Sequence, residues 1–264
     1  MLKRLLTCTL AGCLLAATCH AKVVTETINY KVADHLFTGY LAYDDAKPKH
    51  PGVLVVHEWW GHNEYARKRA RMLAEAGYTA FALDMYGTGK VADHPSDAQA
   101  FMQEVFANEE AAEKRFHAAY NLLQKNPHTQ SDKMAAIGYC FGGAIVLHMA
   151  RVGMPLDAVV SFHGSLAANL PEEQKPDIKG VVQVFTGGED KMVPAAQVAD
   201  FAQEMFENHV EYDIHVYKGA KHSFTNPDAD MFAQKFNLPL AYNAKADADS
   251  WQKTLQLFAK VFGE

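Results

Sequence analysis

Cys140 lies at the centre of Gly138-Tyr139-Cys140-Phe141-Gly142, with Gly143 next. The run falls between an apolar stretch, Met134 to Ile137, and a stretch of helical spacing, Phe141 to Val152. A Gly-x-Cys-x-Gly run in that setting describes a sharp strand-to-helix turn. Such a turn forces its central residue into a strained conformation and needs small residues two positions away on either side. It also sets the sulfur at a helix N-terminus, where the dipole favours a thiolate. Asp190, in Gly188-Glu189-Asp190-Lys191-Met192-Val193-Pro194, and His222, in Gly219-Ala220-Lys221-His222-Ser223-Phe224, each follow a strand-like run. Taken singly, Asp190 is a turn acid and His222 a loop histidine. Taken with the turn at Cys140, they give nucleophile, acid and base in chain order. His222 would accept the thiol proton, and Asp190 would fix the ring's tautomer and support the imidazolium.

These residues need a scaffold that brings strand ends together. Val24 to Tyr30 alternates and pairs by pattern with His35 to Tyr43. Pro51 to Val56 is a continuous apolar run, as in a strand buried on both faces. Tyr78 to Leu83, Ala158 to Phe162, Val181 to Phe185 and Tyr212 to Tyr217 are further strands. Asn63 to Ala76, Ser96 to Asn126 (one or two helices), Ala195 to Asn208 and Asp249 to Phe262 have helical spacing. Strands alternating with helices predict an α/β class: a mostly parallel central sheet with helices on both faces, in a single domain. The order nucleophile, acid, base is that of the α/β-hydrolase fold. Ligands of such sheets sit beyond the carboxyl ends of the strands. The strand-end residues Glu58, Asp84, Cys140, His163, Asp190 and His222 are therefore the candidates for chemistry. Asn226 to Asp249 reads as one long irregular segment beside His222.

Of 264 residues, 49% are hydrophobic and 21% charged, and the formal net charge is −6. There is no long basic run, which argues against a nucleic-acid surface. Residues 1–21 form a separate unit: Met1-Leu2-Lys3-Arg4, an uncharged run from Leu5 to Thr18, then Cys19-His20-Ala21. This layout predicts a secretory signal peptide cleaved after Ala21, leaving residues 22–264 as an exported, periplasmic or secreted protein. Leu10-Ala11-Gly12-Cys13 resembles a lipobox, so lipid anchoring at Cys13 is the alternative. The run is too short to span a bilayer as a helix, which takes about 20 apolar residues, and no membrane association is expected after processing. Cleavage would remove Cys8, Cys13 and Cys19 and leave Cys140 as the lone thiol. In an oxidising compartment a free thiol is either buried or used.

The chain resembles the dienelactone hydrolase family. The resemblance is carried by Val55-Val56-His57-Glu58-Trp59-Trp60-Gly61, Ala82-Leu83-Asp84-Met85-Tyr86-Gly87, the stretch Gly138 to Gly143, Gly188-Glu189-Asp190 with Val193-Pro194, and His222-Ser223-Phe224. Ala241-Tyr242-Asn243-Ala244 and Ser250-Trp251 add to it, so it runs from about Lys31 to the C-terminus. It implies Cys140, Asp190 and His222 as the catalytic triad, and Glu58 as a strand-end acid that contacts the cysteine and keeps it neutral until substrate arrives. It implies the backbone N–H groups of Trp59 and Phe141 as an oxyanion hole. Trp60, Tyr86, His163 and Phe224 are expected in the substrate pocket.

The implied activity is cleavage of a small-molecule ester or lactone through a thioester on Cys140, with no cofactor and no catalytic metal, by a monomer. His57 and His62 flank Glu58, but no His-Glu-x-x-His or paired-cysteine spacing occurs. The sequence departs from the family at two places. Enzymes acting on dienelactone carry two arginines for the substrate carboxylate. Here Tyr86 is followed by Gly87-Thr88-Gly89-Lys90, and Ser223-Phe224 by Thr225-Asn226-Pro227. Lys90 or Lys221 are the available replacements. The alternative function is a non-hydrolytic thiol protein, a redox sensor or an inactive binder, which has no need of the Asp190–His222 pair.

Overall fold

The apolar run at Pro51 forms most of β3 (His50–Val56), which is buried along its whole length. The computed structural model describes residues 22–168, 170 and 174–263. The proposed signal peptide, residues 1–21, lies outside the described residues. Two antiparallel strands, β1 (Val23–Val32) and β2 (His35–Asp44), lead into β3, β4 (Thr79–Leu83), β5 (Thr129–Tyr139), β6 (Ala158–Phe162), β7 (Val181–Gly187) and β8 (Tyr212–Tyr217). They form one sheet in the order β1-β2-β4-β3-β5-β6-β7-β8. β2 meets β4 antiparallel, and every pairing from β4 to β8 is parallel. This is the α/β-hydrolase fold expected from the alternation of strands and helices.

Alternation along the buried strands divides the core between the two faces. Leu54, Val56, Phe81 and Leu83 face α3 (Glu109–Gln124), α4 (Phe141–Arg151) and α5 (Ala195–Glu207), packing with Phe116, Val146 and Met205. Val53, Val55, Ala80 and Ala82 face α1 (Glu64–Glu75) and α7 (Ala244–Phe262), packing with Leu73 and Phe258. The helix starts are written locally. The Asn63 side chain accepts from Tyr65 N at 3.1 Å, and Asn243 accepts from Ala246 N at 3.1 Å.

Ser96 to Asn126 resolves into two helices, α2 (Pro95–Phe106) and α3, separated where Asn108 caps the second by accepting from Ala111 N at 3.0 Å. The segment Asn226 to Asp249, expected to be irregular, contains α6 (Ala229–Phe236) and the first turn of α7. Its helical residues Phe232 and Phe236 pack on Trp60, at ring-centroid distances of 4.3 and 6.0 Å. That partner is more than 170 positions away in the chain, so no local pattern announces it. Among the described residues no helix is long and apolar enough to cross a membrane.

β3 is where the connections change side: β4 lies on one flank and β5 on the other. The crevice at such a switch point opens above the carboxyl ends of β3 and β5, between Glu58-Trp59 and Cys140. α4 can start there only because Gly142 packs against backbone. A Cβ on Gly142 would overlap the carbonyls of Val56 and His57. Gly142→Ala is therefore expected to cost about 3 kcal/mol or more. Gly77→Ala, at φ +94° with open space around it, should cost only about 1–2 kcal/mol. Thermal and denaturant unfolding of the two variants measures the difference.

Candidate active site

Cys140 ends β5 and begins α4 with φ 52° and ψ −114°. A cysteine at positive φ costs roughly 1–3 kcal/mol and persists only when its surroundings hold it. Here Cys140 N donates to Phe162 O on β6 at 2.9 Å, and Cys140 O accepts from Gly143 N at 3.0 Å. His163 and Ser223, at the ends of the neighbouring connections, also have positive φ, 42° and 57°. Three of the six non-glycine residues at positive φ among the described residues thus lie at the carboxyl edge of the sheet. Phe141 is the first residue of α4, so its amide has no acceptor within the helix.

The loops after β7 and β8 bring Asp190 to His222, with Nδ1 and Oδ2 2.8 Å apart. Asp190 is held in turn by Met192 N, which donates to Oδ1 at 2.8 Å. With Asp190 ionised, Nδ1 carries the proton and donates it. The other ring nitrogen, Nε2, is buried and makes no hydrogen bond of regular geometry among the described residues. It is nonetheless close to Cys140. Burial alone would lower the basicity of the ring, but the negative charge of a Cys140 thiolate, and after it Asp190, raise the His222 pKa to about 10.

Glu58 is buried beside this pair. Its Oε2 accepts from Asn226 Nδ2 at 2.6 Å, while Oε1 has no partner among the described residues. Burial raises its pKa against the opposing influence of Asn226, His222, Ser223 and Arg69, which favours the neutral acid. The bond that the structure gives Glu58 is thus to Asn226. Asn226 is itself fixed by accepting from Asp228 N at 2.9 Å. Beneath it runs a polar chain that the sequence did not announce. Arg69, on the inner face of α1, donates to Thr225 O at 2.7 Å, to Asp247 Oδ1 at 2.6 Å and to the Tyr65 hydroxyl at 3.3 Å. Thr225 Oγ1 then lies 2.7 Å from both the Tyr65 hydroxyl and His163 Nε2. These bonds tie the His222 loop to α1 and α7. His57, on the opposite strand face from Glu58, accepts from Met85 N at 3.1 Å through Nε2 and serves the loop after β4.

A cavity of about 210 Å³ opens over Cys140 and His222. Its wall is Trp59, Met102, Phe106, Phe141, Val193 and Leu240, with Ala144, Ser165 and Met192 completing it. None of Trp60, Tyr86, His163 and Phe224, the residues expected to line the pocket, is on that wall. They form the layer behind it. Trp60 is stacked on Phe232, Tyr86 donates its hydroxyl to Trp59 O at 3.1 Å, His163 is spent on Thr225, and Phe224 packs against His163 and Tyr217. The reason is geometric: residues next to a strand end turn back onto the core, whereas α2 and the segment after α6 reach over the opening. The one hint in the sequence is that Phe106 and Met192 are large apolar residues beside helix boundaries, and both remain exposed.

Residues 37–262 match the model of the dienelactone hydrolase family. The chain belongs to that family. Protein usf of Aquifex pyrophilus is 30% identical over 216 residues, which cover 79% of this chain and 87% of the relative. Carboxymethylenebutenolidase of Pseudomonas putida is 28% identical over 219 residues, 80% of this chain and 90% of the relative. Among solved structures, a dienelactone hydrolase-like promiscuous phosphotriesterase from metagenomic libraries superposes with a TM-score of 0.85 at 32% identity, covering 90% of this chain and 98% of that one. Membership makes the chain an enzyme, a hydrolase of the ester- and lactone-cleaving type. At the two places where the sequence carries no arginine, the residues present are occupied with other partners. Lys90 pairs with Glu104 at 2.8 Å, and Asn226 is given to Glu58.

The raised pKa of His222 carries a titration signature. In the wild type the ring should stay protonated at pH 8, where an ordinary histidine of pKa about 6.5 is neutral. Cys140→Ala removes the largest raising influence, and the His222 midpoint should fall by well over one pH unit. NMR of the labelled ring in both proteins measures it. An unchanged midpoint would mean that the sulfur and the ring do not interact.

Proposed function

We propose that this chain hydrolyses small esters or lactones with Cys140 as nucleophile, His222 as acid and base, and Asp190 as its orienting carboxylate. The observation that carries the reading is the buried His222–Asp190 pair, 2.8 Å long, whose free ring nitrogen is turned toward a cysteine at positive φ. The thiolate attacks the carbonyl carbon, and the C=O electron pair moves onto oxygen. The amides of Trp59 and Phe141 hold that oxyanion; losing one such donor typically costs about 100- to 1000-fold in rate. Collapse expels the alkoxide, which takes the His222 proton and leaves a thioester on Cys140. A lactone keeps this alcohol tethered to the acyl group. His222, now neutral, accepts a proton from water as the water attacks the thioester, and collapse returns the acid and the thiolate.

Glu58 acts in this proposal as a neutral acid. Turned to Asn226 and protonated, it adds no second negative charge beside the thiolate. We further propose that residues 1–21 direct export of a monomer and are removed, on the sequence layout alone.

The test is hydrolysis of p-nitrophenyl acetate. His222→Ala should lose about 100- to 10,000-fold in kcat. Cys140→Ala should lose the acyl adduct that rapid-quench mass spectrometry detects on the wild type. Equal, slow rates for all three proteins would instead favour the non-hydrolytic thiol protein. The intact mass of the exported protein should correspond to a chain starting at Lys22. A lipid-modified Cys13 at its start would overturn the export reading.

A further inference from the structure

The cavity over Cys140 differs from a carboxylate-binding site in a way that can be traced group by group. Among the described residues no lysine or arginine lines it. Arg69, Arg115 and Lys90 are engaged elsewhere, and two further lysines border a different depression. Arg69 lies below the site, bonded to Thr225 O and Asp247 and sandwiched by the rings of Tyr65, Tyr139 and Trp251. Arg115 donates to Met85 O at 2.7 Å and rests on the Phe37 ring. Lys90 is paired with Glu104 and lies over Phe101. Lys191 and Lys221 border a separate surface depression with Asp190 and Pro239.

The polar groups that do reach the cavity are equally informative. Ser165 donates its single hydroxyl proton to Gln197 Oε1 at 3.3 Å, an atom that also accepts from Leu166 N at 2.8 Å. Ser165 therefore offers the cavity lone pairs only. A carboxylate there would face those lone pairs and the thiolate, while the cationic group on the wall, the His222 ring, is already matched by Asp190 and Cys140. The amide of Phe141 and the helix N-terminus behind it are taken by the carbonyl oxygen under attack. Everything else on the wall is hydrocarbon, aromatic ring or thioether, with Met102 and Met192 able to adapt to different shapes.

We propose that this enzyme is selective for uncharged esters or lactones with an apolar acyl group and discriminates against substrates that carry a carboxylate. The inference rests on the hydrolase reading above and adds the substrate class. The acyl chain lies against Trp59, Met102, Phe106, Val193 and Leu240, and specificity comes from excluding a charge for which the cavity holds no free partner, His222 being matched already by Asp190 and Cys140.

The test compares two esters that differ in one group near neutral pH. Mono-p-nitrophenyl glutarate carries a terminal carboxylate; its isostere has an isopropyl group there. With the rate of Cys140→Ala subtracted, kcat/KM should favour the uncharged ester by at least about 100-fold, since burying an unpaired charge is that costly. Along the straight-chain esters from acetate to butanoate, kcat/KM should rise by about fourfold per methylene. Met192→Arg, on an exposed rim position, should improve glutarate ester cleavage at least tenfold and narrow the preference. A wild-type preference within about threefold, with both esters cleaved through Cys140, would overturn the inference and leave the hydrolase reading standing. Failure to cleave either ester would overturn both.

Discussion

The backbone of Cys140 is the constraint on which the rest of the structure turns. A non-glycine residue at φ 52° is held only because its N–H is bonded to β6 and its carbonyl is taken by the first turn of α4. Both bonds require α4 to descend closely onto the sheet. That closeness is what makes Gly142 necessary and what packs Val146 and Met149 into the core. The burial of α4 on the sheet, at about 25 cal/mol per Å² of apolar surface, easily exceeds a local strain of roughly 1–3 kcal/mol. Strain, packing and the exposure of the sulfur are thus one arrangement.

A second constraint lies below the first. Several charged or titratable groups are buried together: Glu58, Arg69, His163, Asp190, His222 and, partly, Asp247. Burial penalises every charge among them, and the structure answers each differently. Arg69 stays charged because Asp247, Thr225 O and the faces of three aromatic rings surround it. His163 stays neutral, pushed well below its usual pKa by burial, by His222 and by Arg69. Glu58 is pushed toward its acid form by burial. His222 alone among the histidines here is pushed upward, because Cys140 and Asp190 flank it. Two neighbouring imidazoles, with ring centroids 5.2 Å apart, thus have opposite charge preferences. Only one of them faces the cavity.

Much of this was readable from residues close together in the chain. The strand runs, the glycines around Cys140, the helix caps at Asn63 and Gly77, and the order of Cys140, Asp190 and His222 all express local sterics and periodicity. Reading failed where contacts span the chain. Asn226 to Asp249 looked irregular because the burial that supports α6 comes from Trp60. The role of Arg69 was not legible because its partners, Thr225 and Asp247, are more than 150 positions away. Trp60, Tyr86, His163 and Phe224 looked like pocket residues because they neighbour strand ends. Being adjacent to an active residue in sequence says nothing about which way a side chain turns.

The sequence by itself determined the class of fold and the family, and it singled out a thiol, an imidazole and a carboxylate as candidates. Those depend on backbone sterics and residue type, which act over a few positions. Only the tertiary structure decided that His222 meets Asp190, that Glu58 is turned to Asn226, and that the cavity is walled by α2 and the segment after α6. Those are outcomes of how separate elements pack. Asn226 shows the division most clearly. The sequence registers a polar residue in a loop; the packed protein reveals that it holds a buried acid.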